Sequence, residues 1–215
     1  MQINIDRRSG IFTGVIAVLI GIIVFMIGSN NNSSGLFDMN HSTMHGDGSS
    51  SNSKLIGSDA MFFQMMTPHH QQAVDISDLA IARSKDAELV ALAKEIKAGQ
   101  SAEIVEMKNW LAGGADTSMM NHGMGGILTD SELTTLKSLD GSKFDIFWLQ
   151  KMIAHHEGAL HMVTMIKDSN RSDVRTFGQG IVSVQTAQIE QMNNMLKRMG
   201  AWSWAIRLIE RLFFI

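Results

Sequence analysis

The sequence contains no cysteine, no tyrosine and a single proline, Pro68, in 215 residues. The absence of cysteine excludes disulfide frameworks, cysteine-based zinc sites, thiol catalysis, iron–sulfur ligation and a lipidated N-terminal cysteine. The scarcity of proline, beside abundant Met, Ala, Leu, Gln and Glu, predicts an all-α protein. An excess of basic charge is lacking too: 18 Lys and Arg stand against 21 Asp and Glu, a formal net charge of −3. No basic stripe is available to meet phosphates, so nucleic acid is not an expected partner. Methionine is what the chain has in excess, 17 residues against 19 glycines.

One long apolar run is present. Residues 11–27 (IFTGVIAVLIGIIVFMI) carry no charge, and about 17 such residues is the lower limit for crossing a hydrocarbon core. Arg7 and Arg8 precede the run and the next basic residue is Lys54. That asymmetry predicts a transmembrane anchor with residues 1–10 in the cytoplasm and the rest outside, in a periplasmic or extracellular space. A cleaved signal peptide is the rival reading; the length of the run and the absence of an A-x-A site favour the anchor. In an oxidising compartment methionine is the more durable sulfur ligand.

Residues 28–57, rich in Gly, Ser and Asn, cannot bury a core and read as a flexible linker. Residues 58–200 read as helices. Ser58 is expected to cap a first helix ending near Arg83, which Pro68 should kink without breaking. A second helix should stop before Gly113–Gly114. Thr129-x-x-Glu132 has the form of a capping box opening a short helix to about Ser138. Ser142 is expected to open a long helix to about Asp168, and Ser172 a last one ending near Gly200. The halves repeat. At an offset of 86, Asp59, Gln64, Met66, His69, His70 and Ala73 match Asp145, Gln150, Met152, His155, His156 and Ala159. At an offset of 85, Ile96, Gln100, Ala102, Ile104, Met107 and Leu111 match Ile181, Gln185, Ala187, Ile189, Met192 and Leu196. Two αα-hairpins, each with one apolar face to bury, predict a four-helix bundle.

The series Phe62, Met66, His69, Ala73, Ile76, Ala80 and Trp148, Met152, His155, Ala159, Met162, Ile166 step by fours and threes and should face the bundle interior. His70 and His156 flank the same seam, and His161 and Met165 form another i, i+4 pair. A lone histidine on such a face is ordinarily a hydrogen-bonded core residue, and methionines ordinarily fill core gaps. Two His-His pairs at equivalent places, each one turn after a methionine, instead predict metal ligands, because several buried imidazoles need partners. Thioether with imidazole selects Cu(I), with Ag(I) as its mimic. A di-iron centre would need Glu-x-x-His pairs and more inward carboxylates, which the seam lacks. Two further clusters, Met39, His41, Met44 and His45 in the linker and Met119, Met120, His122 and Met124 in the central loop, have no core to fill and suggest metal capture.

The segments MMTPHHQQAVDIS (Met65 to Ser77) and FDIFWLQKMIAHHEGALHM (Phe144 to Met162) resemble the twin His-His signatures of the domain of unknown function 305 family, over about residues 58 to 200. The resemblance implies a ferritin-like four-helix bundle, exported or membrane-anchored, and a copper role for Met66, His69, His70, Met152, His155 and His156. The tail 201–215 (AWSWAIRLIERLFFI) falls outside the pattern. At about 15 residues with internal charges it is too short to span; an interfacial amphipathic helix, a helix packed on the bundle and a neutral extension all fit it. The expected function is extracytoplasmic copper binding, sequestering Cu(I) or passing it to efflux or delivery proteins, rather than an enzyme. The alternative is a membrane-tethered interaction module whose histidines are structural. A redox enzyme is disfavoured by the lack of Tyr, Cys and a carboxylate-rich seam.

Overall fold

A computed structural model of the chain describes residue 55 and residues 57–113 and 125–201. These form five helices: α1 (Gly57–Arg83), α2 (Ala87–Ala112), α3 (Asp130–Ser138), α4 (Gly141–Val163) and α5 (Ser172–Arg198). The described residues contain no strand, as the all-α expectation requires. α1 packs along α2, α4 packs along α5, and α1 against α4 joins the two hairpins into a helical bundle, with short α3 against α4.

Local chemistry sets the ends. Asp86 caps α2, accepting from the backbone N–H groups of Glu88 and Leu89 at 3.0 Å each, which satisfies two otherwise orphaned donors. The predicted capping box is formed: the Glu132 N–H donates to Thr129 Oγ1 at 3.3 Å, and the Thr129 N–H to Glu132 Oε2 at 2.8 Å. α1 runs unbroken through Pro68. One residue before that proline, the Thr67 hydroxyl donates to the Phe63 carbonyl at 2.7 Å.

Four boundaries differ from the sequence expectation. α1 begins at Gly57 rather than being capped by Ser58, and Arg171 rather than Ser172 precedes α5. α4 opens at Gly141 with no side-chain cap, because Arg83 takes the Asp140 carboxylate at 2.7 Å while also donating to the carbonyls of Lys137 and Leu139 at 2.6 and 2.8 Å. α4 stops at Val163, five residues early, where Met165 and Ile166 bond back only three residues, to Met162 and Val163. That tighter winding ends an α-helix.

The repeat in sequence is a repeat in space. Ser169, just past α4, donates to buried Asp59 at the start of α1 at 2.6 Å; burial raises the pKa of Asp145 near the start of α4, and Ser84, the counterpart of Ser169 just past α1, lowers it. The second hairpin thus holds the first turn of α1. Trp148 Nε1 adds a buried bond to the Ile76 carbonyl at 2.9 Å.

The core falls into two apolar clusters. One gathers Ala73, Ile76, Leu89, Leu92, Trp148 and Met152; the other gathers Phe62, Phe63, Met66, Met107, Ala159 and Phe177. Along α1 they meet between Met66 and Ala73, and along α4 between Met152 and Ala159. Both His-His pairs sit at this junction. Among the described residues no helix is long and apolar enough to cross a membrane; the predicted anchor 11–27, most of the linker and residues 202–215 lie outside them.

Candidate metal centre

Both seam series are buried throughout, and His69, His70, His155 and His156 all have 0% exposure. Four imidazoles in an apolar interior require hydrogen-bond partners. Each finds one at Nε2, and in every case it is an oxygen. His69 donates to the Gly125 carbonyl at 3.2 Å and His155 to the His69 carbonyl at 3.1 Å. His70 donates to Glu103 Oε2 at 2.7 Å and His156 to Gln188 Oε1 at 2.8 Å. An oxygen acceptor places the proton on Nε2, which fixes the tautomer and leaves the lone pair on Nδ1. All four Nδ1 atoms are buried without a hydrogen-bond partner.

The charge state follows from the same burial. The pKa of His69 is lowered to about 3, by desolvation first and then by His70. That of His156 is lowered to about 4, again mainly by desolvation, and His155 falls well below its ordinary value through desolvation and the neighbouring imidazole of His69. At neutral pH these rings are uncharged bases. The His69 and His155 rings lie with centroids 3.7 Å apart, tilted by 40°, while His70 and His156 stand 6.3 and 6.4 Å from their chain neighbours.

A backbone stem closes over His69. Gly126 has φ +82, and a Cβ there would meet the Ala154 carbonyl at 2.5 Å; one on Gly158 would meet the Gly125 carbonyl oxygen at 2.1 Å. Only glycine permits this approach of main chain to helix. Gln72 fastens the stem with two bonds to Leu128, donating to its carbonyl at 3.0 Å and accepting from its N–H at 2.7 Å.

The structure thus brings together His69, His70, His155 and His156. Met66 and Met152 are fully buried one turn before each pair, one in each apolar cluster. His161 is exposed and apart from the quartet, and Met165, half-buried, lies beyond the end of α4, so the expected i, i+4 pairing is not built on continuous helix. Met39, His41, Met44, His45, Met119, Met120, His122 and Met124 lie outside the described residues. Among the described residues, no group of three or more His, Cys, Asp or Glu is gathered closely enough to hold a metal ion. Sequence reading missed Glu103, Gln188 and the Gly125 carbonyl. The signal for the first two was available, since they correspond at the offset of 85, but their identities differ and a search for identical pairs passes over them.

Residues 59–196 match the family described as Domain of unknown function (DUF305). Among solved structures, a DUF305 protein of Streptomyces coelicolor, proposed to be secreted, is 30% identical with a TM-score of 0.63, covering 67% of this chain and 94% of its own. A DUF305 fragment from Deinococcus radiodurans is 27% identical with a TM-score of 0.61, covering 66% and 96%. CopM in its Cu(II)-bound form is 30% identical with a TM-score of 0.57, covering 68% and 99%; it is also solved with Cu(I), with silver and in the apo form. No curated protein matches the chain.

Proposed function

This chain belongs to the DUF305 family, and from that premise we propose that it is an exported, membrane-anchored copper-binding protein. It sequesters or hands on Cu(I) in copper tolerance and catalyses no reaction. The observation that carries this reading is the quartet of buried imidazoles, each held by Nε2 and each with Nδ1 unpartnered. Holding the far ring nitrogen with an oxygen acceptor is how proteins orient a metal-binding histidine and raise its basicity. The donors fit copper: imidazole accepts either oxidation state, and the thioethers of Met66 and Met152 favour Cu(I). Because no three His, Asp or Glu side chains converge among the described residues, the rings must reorient or recruit thioethers to complete a site. The copper carried by CopM at about 30% identity supports the same reading.

On this reading the apolar run 11–27 tethers the domain, the Met- and His-rich linker and loop segments capture the ion, and membrane efflux or delivery proteins are its partners. Competition titration of the full chain in detergent with Cu(I) tests it. Stoichiometric binding is expected, with the H69A/H70A/H155A/H156A variant losing its tightest and most pH-dependent component, because imidazole binds only when neutral whereas thioether does not titrate. Unchanged binding and pH profile in that variant overturns the assignment. One observation favours a second reading, a metal-free interaction module: every Nε2 is already hydrogen-bonded within the protein. A ligand that binds only the native state raises the unfolding midpoint, so a midpoint unmoved by Cu(I) would favour the module.

A further inference from the structure

The two halves of the quartet differ in charge at one point. His70 donates to the carboxylate of Glu103, whereas its counterpart His156 donates to the amide of Gln188. The replacement recurs one turn further on, where Glu106 of α2 corresponds to Gln191 of α5. Glu103 and Glu106 share one negative field: the Glu106 carboxyl is raised by burial first and by Glu103 next. Among the described residues Glu103 is the one carboxylate hydrogen-bonded to any of the four imidazoles. Its side chain is 23% exposed against 0% for His70, so it stands at the edge of the cluster rather than among the ligands.

A carboxylate and an amide oxygen both orient an imidazole through Nε2. Only the carboxylate adds charge. It strengthens Nδ1 as a donor, and its attraction for a bound cation grows in proportion to the cation's charge. Resting on the copper reading of these imidazoles, we propose that Glu103 is the charge-balancing positioning residue of the centre. It draws the bound cation toward the His70 half and shifts the preference of the quartet toward Cu(II) relative to monovalent ions.

The His156–Gln188 pair shows that this fold accommodates a glutamine acceptor, so Glu103→Gln transplants one half's arrangement onto the other. Competition titrations of the full chain with Cu(II) and with Ag(I) as the monovalent probe provide the test. E103Q is expected to lose about tenfold in Ag(I) affinity and on the order of 100-fold for Cu(II), the doubled logarithm expected for doubled charge. Gln188→Glu should strengthen Cu(II) binding more than Ag(I) binding, and the swap E103Q/Q188E should return both affinities to within about threefold of wild type. Equal losses for the two ions in E103Q, or a folded swap that fails to recover, overturns the proposal while leaving the copper reading standing. Wild-type protein that takes up neither ion removes the copper reading and this inference together.

Discussion

His155 donates from Nε2 to the main-chain carbonyl of His69 at 3.1 Å, 86 residues earlier in the chain. The bond breaks the two-fold relation of the halves, because the His69 ring does not return it. It donates to the Gly125 carbonyl instead. The stem that supplies this carbonyl has its seat at Gly158, where the first half carries Gln72.

Gly158→Ala should therefore act on the stem rather than on α4. Alanine is the better helix former by about 1 kcal/mol, but its Cβ would lie 2.1 Å from the Gly125 oxygen, a backbone atom with no rotamer to change. A net destabilisation of about 1–3 kcal/mol is expected from the forced overpacking. Urea unfolding measures it; a stabilised variant would show that the stem is not seated on the helix.

The lowered histidine values give a pH dependence with a definite sign. Above about pH 6.5, the ordinary value, these rings are neutral both folded and unfolded and contribute nothing to the slope. Below it the unfolded chain takes up protons that the folded chain refuses until about pH 4 for His156 and about pH 3 for His69. Since the unfolded state then binds more protons, stability falls as pH falls. The metal-free protein should lose about 1.4 kcal/mol for each of His69 and His156 between pH 7.5 and 5.5, with His155 acting in the same direction. Denaturant midpoints across that interval decide it, and a flat profile would mean that His69, His155 and His156 are solvated.

The bundle was legible because its constraints are repeated. Asp59 and Asp145, Met66 and Met152, and both His-His pairs recur at one offset, and periodic burial alone places them on facing seams. Contacts between one side chain and a distant backbone were not legible. Nothing local to His69 announces the Gly125 carbonyl, and nothing in Ser142-x-x-Asp145 announces that Arg83 holds Asp140. The early end of α4 belongs with these, since it leaves Ser169 where it reaches Asp59.

That last contact is open to a direct test. Asp59 is 9% exposed and Ser169 supplies its 2.6 Å hydrogen bond. Ser169→Ala leaves a largely buried carboxylate short of a donor, which costs about 1–3 kcal/mol. The loss should appear as a lowered midpoint in thermal unfolding at neutral pH. An unchanged midpoint would show that water replaces the hydroxyl at no cost.

Gln100 and Gln185 present the opposite case. They correspond in the repeat, are 4% and 2% exposed, and neither amide nitrogen nor amide oxygen of either finds a hydrogen-bond partner. Each lies three residues before the acceptor of a quartet histidine, Glu103 or Gln188, and so about one turn along the same helix face. An unsatisfied buried amide is a standing penalty of about 1–3 kcal/mol, and an apolar residue of similar volume removes it. If these amides serve only packing, Gln100→Leu and Gln185→Leu should each raise the unfolding free energy of the metal-free protein by about 1 kcal/mol or more. Copper affinity supplies the second readout: with both variants folded and stabilised, an unaltered affinity confines the site to the imidazoles and their Nε2 partners. A stabilised double variant that binds copper at least tenfold more weakly would instead extend the polar site by one helical turn toward each end of the bundle.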